Sequence, residues 1–361
     1  MAATGVIDAF TLPAHLEAAE PPEARGLKRD DVRLLVSDVE RDSIAHARFS
    51  ELPRWLSPGD LLVVNTSGTV KAALAARTRN GHRFELHLST RLPGNFWVIE
   101  VRRPGPVASL PCRDALAGAS FQLEAGGLVT VLAPYPLGSA LHAPSRLWIA
   151  ALELEGAVLP YLERFGTPIR YSYVTRSWPE SMYQTIFATE PGSAEMPSAG
   201  RPFTPELVTR LVSAGIQIAP VLLHTGVASL EDHEPPYEEY FRVTRETADR
   251  VNSTRLAGGR VVAVGTTVVR AVETVTDSHG TTPGEGWTSL VIGPERPLRA
   301  VNGMITGLHE PHATHLAMVR EVIAAAGGER PPSHLDRAYT EAQLAGYLWH
   351  EFGDSHLIVG G

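Results

Sequence analysis

The chain is almost without cysteine and lysine. Cys112 is its only cysteine, which excludes an internal disulfide and a cysteine-rich zinc site. Lys28 and Lys71 are its only lysines, against thirty arginines that make up the rest of the 32 basic residues. A mechanism resting on a lysine Schiff base or lysine general base therefore has few candidates. No apolar run approaches the roughly 18 residues of a membrane span. The start, MAATGVIDAF, lacks the basic opening and apolar stretch of a signal peptide, so a cytoplasmic location is expected. Positive charge is also in deficit. A net charge of −8 argues against sequence-wide attraction to nucleic acid, although a local arginine patch stays open. There is no Gly-x-Ser-x-Gly elbow, no Walker loop and no dinucleotide fingerprint.

What is present is ordinary globular material: 361 residues, 43% hydrophobic and 20% charged, enough for two domains or one large α/β domain. Asp60 to Asn65 (DLLVVN) reads as a strand buried on both faces. It ends at Asn65-Thr66-Ser67-Gly68, polar groups at the strand edge where α/β sheets favour ligand sites. Between about Val70 and Leu154 the texture changes to short alternating runs (RFELHLS, FWVIEVR, SFQLEA, LVTVLAP), the pattern of a small antiparallel β-domain. Strand–helix alternation then resumes. Thr204 should cap a helix opened by Pro205 and closed by Gly215. A strand IQIAPVLL, a helix from Thr244 to about Leu256, and a strand–helix pair RVVAVGTT/VVRAVETVTD follow. This alternation implies a mainly parallel sheet. The division expected is an α/β domain of residues 1–70 and 155–361 with a β-barrel of residues 71–154 inserted.

Several polar motifs fall where chemistry is expected. In VVAVGTTVVRAVE, a strand stops at Gly265, and Thr266 and Thr267 open a helix whose first N–H groups can hold an anion or carboxylate. Arg270 and Glu273 follow at helical spacing. The competing reading is a capped helix with a surface Arg–Glu pair. In His309-Glu310-Pro311-His312-Ala313-Thr314-His315 the metalloprotease spacing fails, because the second histidine would have to stand at Ala313. A substrate-facing loop before a helix, with His309 reaching the substrate and no metal, is preferred. Tyr183, Gln184 and Thr185 lie beside an apolar run, and His224 follows the strand PVLL. Each of these is a candidate for ligand contact or simply a strand end. Ser193 to Gly200 is rich in small residues suited to close backbone approach or a lid. Phe352-Gly353-Asp354 either brings Asp354 into a site or makes a plain turn.

Together these pieces resemble the S-adenosylmethionine:tRNA ribosyltransferase-isomerase family of queuosine biosynthesis. The similar segments are collinear over nearly the whole chain: FTLPAHLEA with RLLVSD, LSPGDLLVVNTSGTV, LPYLERF, YQTIFATEPGSAEMPSAGRPFT, LHTG, VVAVGTTVVRAVE, ITGLHEPHATHL and AYTEAQLAGYLWHEFGDSHLI. The resemblance implies an α/β fold with a large α/β-barrel-like domain and an inserted small antiparallel β-barrel. It implies S-adenosylmethionine as a ribosyl donor, a 7-aminomethyl-7-deazaguanine base of a tRNA anticodon as acceptor, and an epoxycyclopentanediol product with adenine and methionine released. Such a site must take a proton beside a sulfonium and hold an amine nucleophile. His224, His309, Tyr183 and Asp354 are the candidates for catalysis. Asn65, Gln184, Thr185, Glu239, Thr266, Thr267 and Arg270 are the candidates for holding the donor, with the last three at the methionine carboxylate. A monomer is expected. Asn65, Gln184, His224, Thr266 and His309 should face one pocket.

The chain also departs from the family pattern. Asn-x-Thr-Arg-Val becomes Asn65-Thr66-Ser67-Gly68-Thr69-Val70, which loses an arginine. Ala-Gly-Leu-His-Phe becomes Ala199-Gly200-Arg201-Pro202-Phe203, and Gly-x-Gly-Thr-Phe becomes Gly226 to Leu230. Met-His-x-Glu aligns with Pro236 to Glu239, and Arg-Phe-Phe-Ser-Tyr-Gly-Asp becomes Leu348-Trp349-His350-Glu351-Phe352-Gly353-Asp354. The pattern leaves open a paralogue that cleaves S-adenosylmethionine or uses a smaller acceptor, or a binding protein on the same scaffold. A tRNA binder needs an arginine track, for which Arg164, Arg170, Arg176 and Arg201 are the candidates.

Overall fold

The computed structural model describes residues 10–114, 116–137, 145–227, 237–311, 313–327 and 333–360. Its fold is α/β, with a large α/β-barrel-like unit and a small closed antiparallel barrel. The large unit is organised by a nine-stranded mixed sheet. From edge to edge the strands are Gly284–Thr288, Glu239–Val243, Gln217–Leu223, Leu61–Asn65, Val261–Val264, Gly303–Gly307, Ser355–Val359, Arg33–Asp38 and Ser43–Arg48. Gln217–Leu223, Leu61–Asn65, Val261–Val264 and Gly303–Gly307 run parallel to one another. Ser355–Val359 lies antiparallel to the last of these, with Ser355 opposite Gly307.

The central strands are apolar throughout because helices cover both faces. Successive side chains of Leu61–Asn65 go to opposite layers. Leu61 and Val63 join one core with Val221, Val268, Val319 and Tyr339, while Leu62 and Val64 join the other with Phe49, Phe203, Leu207 and Leu211. Burying a side chain of this kind contributes about 1.5–3 kcal/mol, so the centre of the sheet is the firmest part of the fold.

The helix signals hold. Thr204 Oγ1 accepts the Leu207 N–H at 3.1 Å ahead of helix Pro205–Ser213, and Gly215 takes the left-handed φ of +81° after it. Thr244 caps helix Arg245–Leu256 in the same way. Helix Thr266–Thr274 is shorter than its apolar pattern implies, because Thr276–Asp277 turns into a small hairpin with Gly280–Thr281.

The barrel strands are Ala73–Arg77, Arg83–Arg91, Phe96–Arg103, Ser120–Gln122, Leu128–Tyr135 and Leu147–Glu153. Pairing of the last with Phe96–Arg103 closes a six-stranded antiparallel ring. Helix Val158–Phe165 stays packed on it through Tyr161 and Leu162, and Gly166–Thr167 pairs with Ala73 and Leu74. Among the described residues no helix is long and apolar enough to cross a membrane.

Candidate active site

The four parallel strands end on one edge of the sheet, and beyond that edge lies a cleft of about 380 Å³. Its walls come from the segments that follow those strands: Thr225, Gly265 to Thr267 and Thr306 to Pro311. Residues Glu195 to Ala199, Tyr171, Tyr173, His350 and Glu351 complete it. A ligand site at the C-terminal ends of parallel strands is the general arrangement of α/β sheets.

The start of helix Thr266–Thr274 forms one wall. Gly265, at φ +99°, offers no side-chain cap, and Thr266 and Thr267, which open the helix, line the cleft, where a helix start brings free N–H groups and the positive end of the dipole. Arg270 stands one turn on, in a buried ion pair with Glu239. Its Nε donates to the Leu290 carbonyl at 3.1 Å, and Nη2 donates to the carbonyls of Tyr237 and Thr288 at 2.9 and 2.8 Å. Burial pushes the Glu239 carboxyl up, while Arg270 and the Gly226 N–H oppose it. Glu273 is also fully buried and accepts the N–H groups of Arg299, Ala300 and Val301. The surface Arg–Glu pair is thus excluded: both residues point inward, to separate partners.

His309 and His315 stack in another wall, with ring centroids 5.0 Å apart and planes at 15°. The Nε2 of His309 shares a 2.8 Å hydrogen bond with Thr306 Oγ1. Burial holds His309 well below the ordinary imidazole range and brings His315 down to about 4. Both imidazoles are neutral at neutral pH. His312 lies outside the described residues, as do residues 228–236. Among the described residues no cluster of three or more histidine, cysteine or carboxylate side chains is disposed to hold a metal.

A third wall is aromatic. Tyr171 and Tyr173 stack at 5.9 Å and 20°, and Tyr173 stacks on His350 at 3.9 Å and 10°. His350 adopts φ +74°, uncommon for a residue with a side chain. Its Nδ1 and Nε2 approach Glu310 and Glu17 at 3.2 and 3.4 Å. Burial pushes the adjacent Glu351 up to about 8.

Of the residues singled out from sequence, His309, Thr266, Thr267, Arg270 and Glu239 line the cleft. The others stand behind its walls. Asn65 clamps the strand edge: its Oδ1 accepts the N–H of Leu223 and Ser67, and its Nδ2 donates to the Leu223 carbonyl and to Thr267 Oγ1. His224 Nδ1 meets Ser67 Oγ at 2.7 Å, its ring lies against Gly192 and Tyr240, and burial lowers its pKa. Gln184 grips both backbone groups of Thr69, and Thr185 Oγ1 accepts the Phe187 N–H. Tyr183 is buried against Phe352, which raises its phenol pKa. Asp354 accepts the N–H groups of Arg33 and Leu348 at 2.7 and 2.8 Å, and burial raises its carboxyl.

Arg201 is buried, paired with Glu23 and donating to the Met182 carbonyl at 2.9 Å, so it cannot belong to an exposed arginine track. Sequence reasoning missed Tyr171, Tyr173, His350 and Glu351. Tyr171 and Tyr173 stand in a turn closed by the Val174 N–H donating to the Tyr171 carbonyl at 3.0 Å, a placement that no periodic pattern in the sequence announces.

A family model described as queuosine biosynthesis protein matches residues 8–358. The chain is 36% identical to the S-adenosylmethionine:tRNA ribosyltransferase-isomerase of Symbiobacterium thermophilum and 37% identical to that of Moorella thermoacetica. In both cases the match covers 97% of this chain and 98% of the relative. The crystal structure of an S-adenosylmethionine tRNA ribosyltransferase from Thermotoga maritima is similar at a TM-score of 0.52 and 30% identity, over 98% of this chain and 100% of that one. With the sheet, the inserted barrel and the cleft at the strand ends in place, the chain belongs to the queuosine biosynthesis protein family.

Proposed function

We propose that this chain transfers and isomerises the ribosyl moiety of S-adenosylmethionine onto the aminomethyl group of a 7-deazaguanine base in a tRNA anticodon. The product is epoxyqueuosine, and adenine and methionine leave. The observation that carries the reading is the chemistry gathered in one cleft. A helix start suits a carboxylate, neutral buried imidazoles suit a proton acceptor, and stacked rings suit a planar base or a sulfonium. The methionine carboxylate sits at the N–H groups of Thr266 and Thr267. Arg270 adds positive charge behind them, while its own donors brace Glu239 and the neighbouring carbonyls. His309, neutral because buried, takes the proton beside the sulfonium. Asn65, Gln184, Thr185 and His224 act from behind, keeping the strand edge and the Ser67–Thr69 segment in place. Tyr183 and Asp354 hold the turn that carries His350 and Glu351.

In this reading the catalytic unit is residues 1–70 and 155–361, with the barrel of 71–154 inserted. The protein is a cytoplasmic monomer, S-adenosylmethionine is a co-substrate, and no metal takes part. The exposed Arg164 and Arg176 and the partly buried Arg170 remain for phosphate contact. The burial of Arg201 and the glycine at position 68 favour one alternative, a paralogue that cleaves the donor or uses a smaller acceptor.

The deciding experiment measures adenine release from S-adenosylmethionine with and without tRNA carrying the aminomethyl-deazaguanine base. Release that requires the tRNA is expected, and His309→Ala should slow it by about a hundredfold or more. Release at the same rate without tRNA would replace the proposal with the cleavage alternative.

A further inference from the structure

The proposed reaction assigns no step to the cleft wall formed by His350 and Glu351, and three features mark it. The ring of His350 is stacked face to face on Tyr173 at 3.9 Å, and Tyr171 stacks on Tyr173 at 5.9 Å, so the three rings form one stack, an aromatic shelf that a planar base extends at an open face. The shelf is held at a conformational cost, because His350 sits at φ +74°, where a side chain meets the backbone. Next to it, Oε1 of Glu351 is buried and has no hydrogen-bond partner, although the residue lines the cleft. A buried acceptor left without a partner costs about 1–3 kcal/mol, and a ligand that reaches it recovers that loss.

We propose that the Tyr173–His350 shelf and the carboxyl of Glu351 form the subsite for the purine of the donor, the base stacking on the shelf while Glu351 hydrogen-bonds its edge. The inference rests on the donor being S-adenosylmethionine. The choice of purine over the deazaguanine acceptor follows from donor and acceptor counts. A neutral carboxyl presents one O–H donor beside one carbonyl acceptor. Adenine offers the complement, a ring nitrogen acceptor beside an exocyclic amine. The amidine edge of a guanine-type base presents two donors and calls for an ionised carboxylate instead. The surroundings favour the neutral form. Burial pushes Glu351 up to about 8, with Arg201 opposing. The other titratable groups facing it are Tyr173 and Tyr183, whose phenols are themselves raised by burial. His350, its chain neighbour, is lowered by burial while Glu310 and Glu17 pull the other way.

Calorimetric titration of the whole protein with free adenine, and separately with free 7-aminomethyl-7-deazaguanine, tests the assignment. Adenine affinity should fall about tenfold or more in Glu351→Ala. In Glu351→Gln, whose amide keeps one donor and one acceptor, it should stay within about threefold of the parent near pH 6. The parent's affinity should decline as pH rises through the carboxyl's value of about 8, and the Gln variant's should not. The Gln variant carries the test if the Ala variant fails to fold. Adenine binding that is unchanged in Glu351→Ala, or that shows the same pH profile in parent and Gln variant, would overturn the assignment. So would loss of the deazaguanine rather than adenine in Glu351→Gln. These titrations do not depend on turnover: adenine release without tRNA would overturn the proposed reaction and leave the subsite standing.

Discussion

His315 at about 4 and His356 at about 3 are imidazoles that folding takes out of water and keeps neutral. His356 also shares a 2.8 Å hydrogen bond with Ser37 inside the sheet. In the unfolded chain these rings protonate near their ordinary value of 6.5, so the stability they lend is complete above that pH and is lost as pH falls toward 4 and 3. Glu351 works with the opposite sign. Its folded value of about 8 lies above its ordinary 4.5, so its contribution is full below 4.5 and is lost as pH rises through 8. The melting temperature should therefore fall on both sides of a maximum near neutrality, roughly pH 6–7. Glu351→Gln should flatten the alkaline limb and His315→Leu the acid limb. Melting curves from about pH 4 to 9 check this, and an alkaline limb unchanged in Glu351→Gln would contradict the burial of that carboxyl as an acid.

The helix that opens at Thr266 depends on Gly265. At φ +99° any other residue is strained, and an added Cβ would meet the Cβ of Ala199 at 3.4 Å. Gly265→Ala should cost about 1–2 kcal/mol and weaken S-adenosylmethionine binding, since the helix N–H groups would be displaced. Urea unfolding and calorimetry measure the two effects. A destabilised variant with unchanged donor affinity would remove this helix start from the site.

Local chemistry made the elements legible. Thr204, Pro205 and Gly215 bound their helix where caps predict, and the apolar run Leu61 to Val64 is buried on both faces. The site was legible only in part. Thr266, Thr267 and His309 follow strands directly, so the strand ends place them. Asn65, Gln184 and His224 look equally placed in sequence, yet backbone N–H and carbonyl groups near the strand edge consume the side chains of Asn65 and Gln184, and the Ser67 hydroxyl engages His224. His350 and Glu351 reach the cleft from a turn near the C-terminus, because Ser355 pairs opposite Gly307, and no local pattern announces that pairing.

The inserted barrel is joined to the large unit by polar contacts at the cleft. Ser89 Oγ accepts the Val227 N–H at 3.0 Å, and Arg146 donates to the Tyr237 hydroxyl at 2.7 Å. Arg146 in turn lies 3.2 Å from Glu100. Burial alone would push Glu100 up, but His87, 3.7 Å away, and the charges of Arg102 and Arg146 hold it at about 2. The Tyr237 carbonyl receives Arg270, so one chain of contacts runs from the barrel to the helix that forms a cleft wall. The position of the barrel and the shape of the cleft are thereby linked. The barrel is thus part of the site's support.

A crystal structure of the protein with S-adenosylmethionine is the most direct measurement. The methionine carboxylate should lie against the N–H groups of Thr266 and Thr267, with the sulfonium nucleoside inside the cleft and within reach of His309. Density for the ligand at any other surface, or a carboxylate held away from that helix start, would contradict the account.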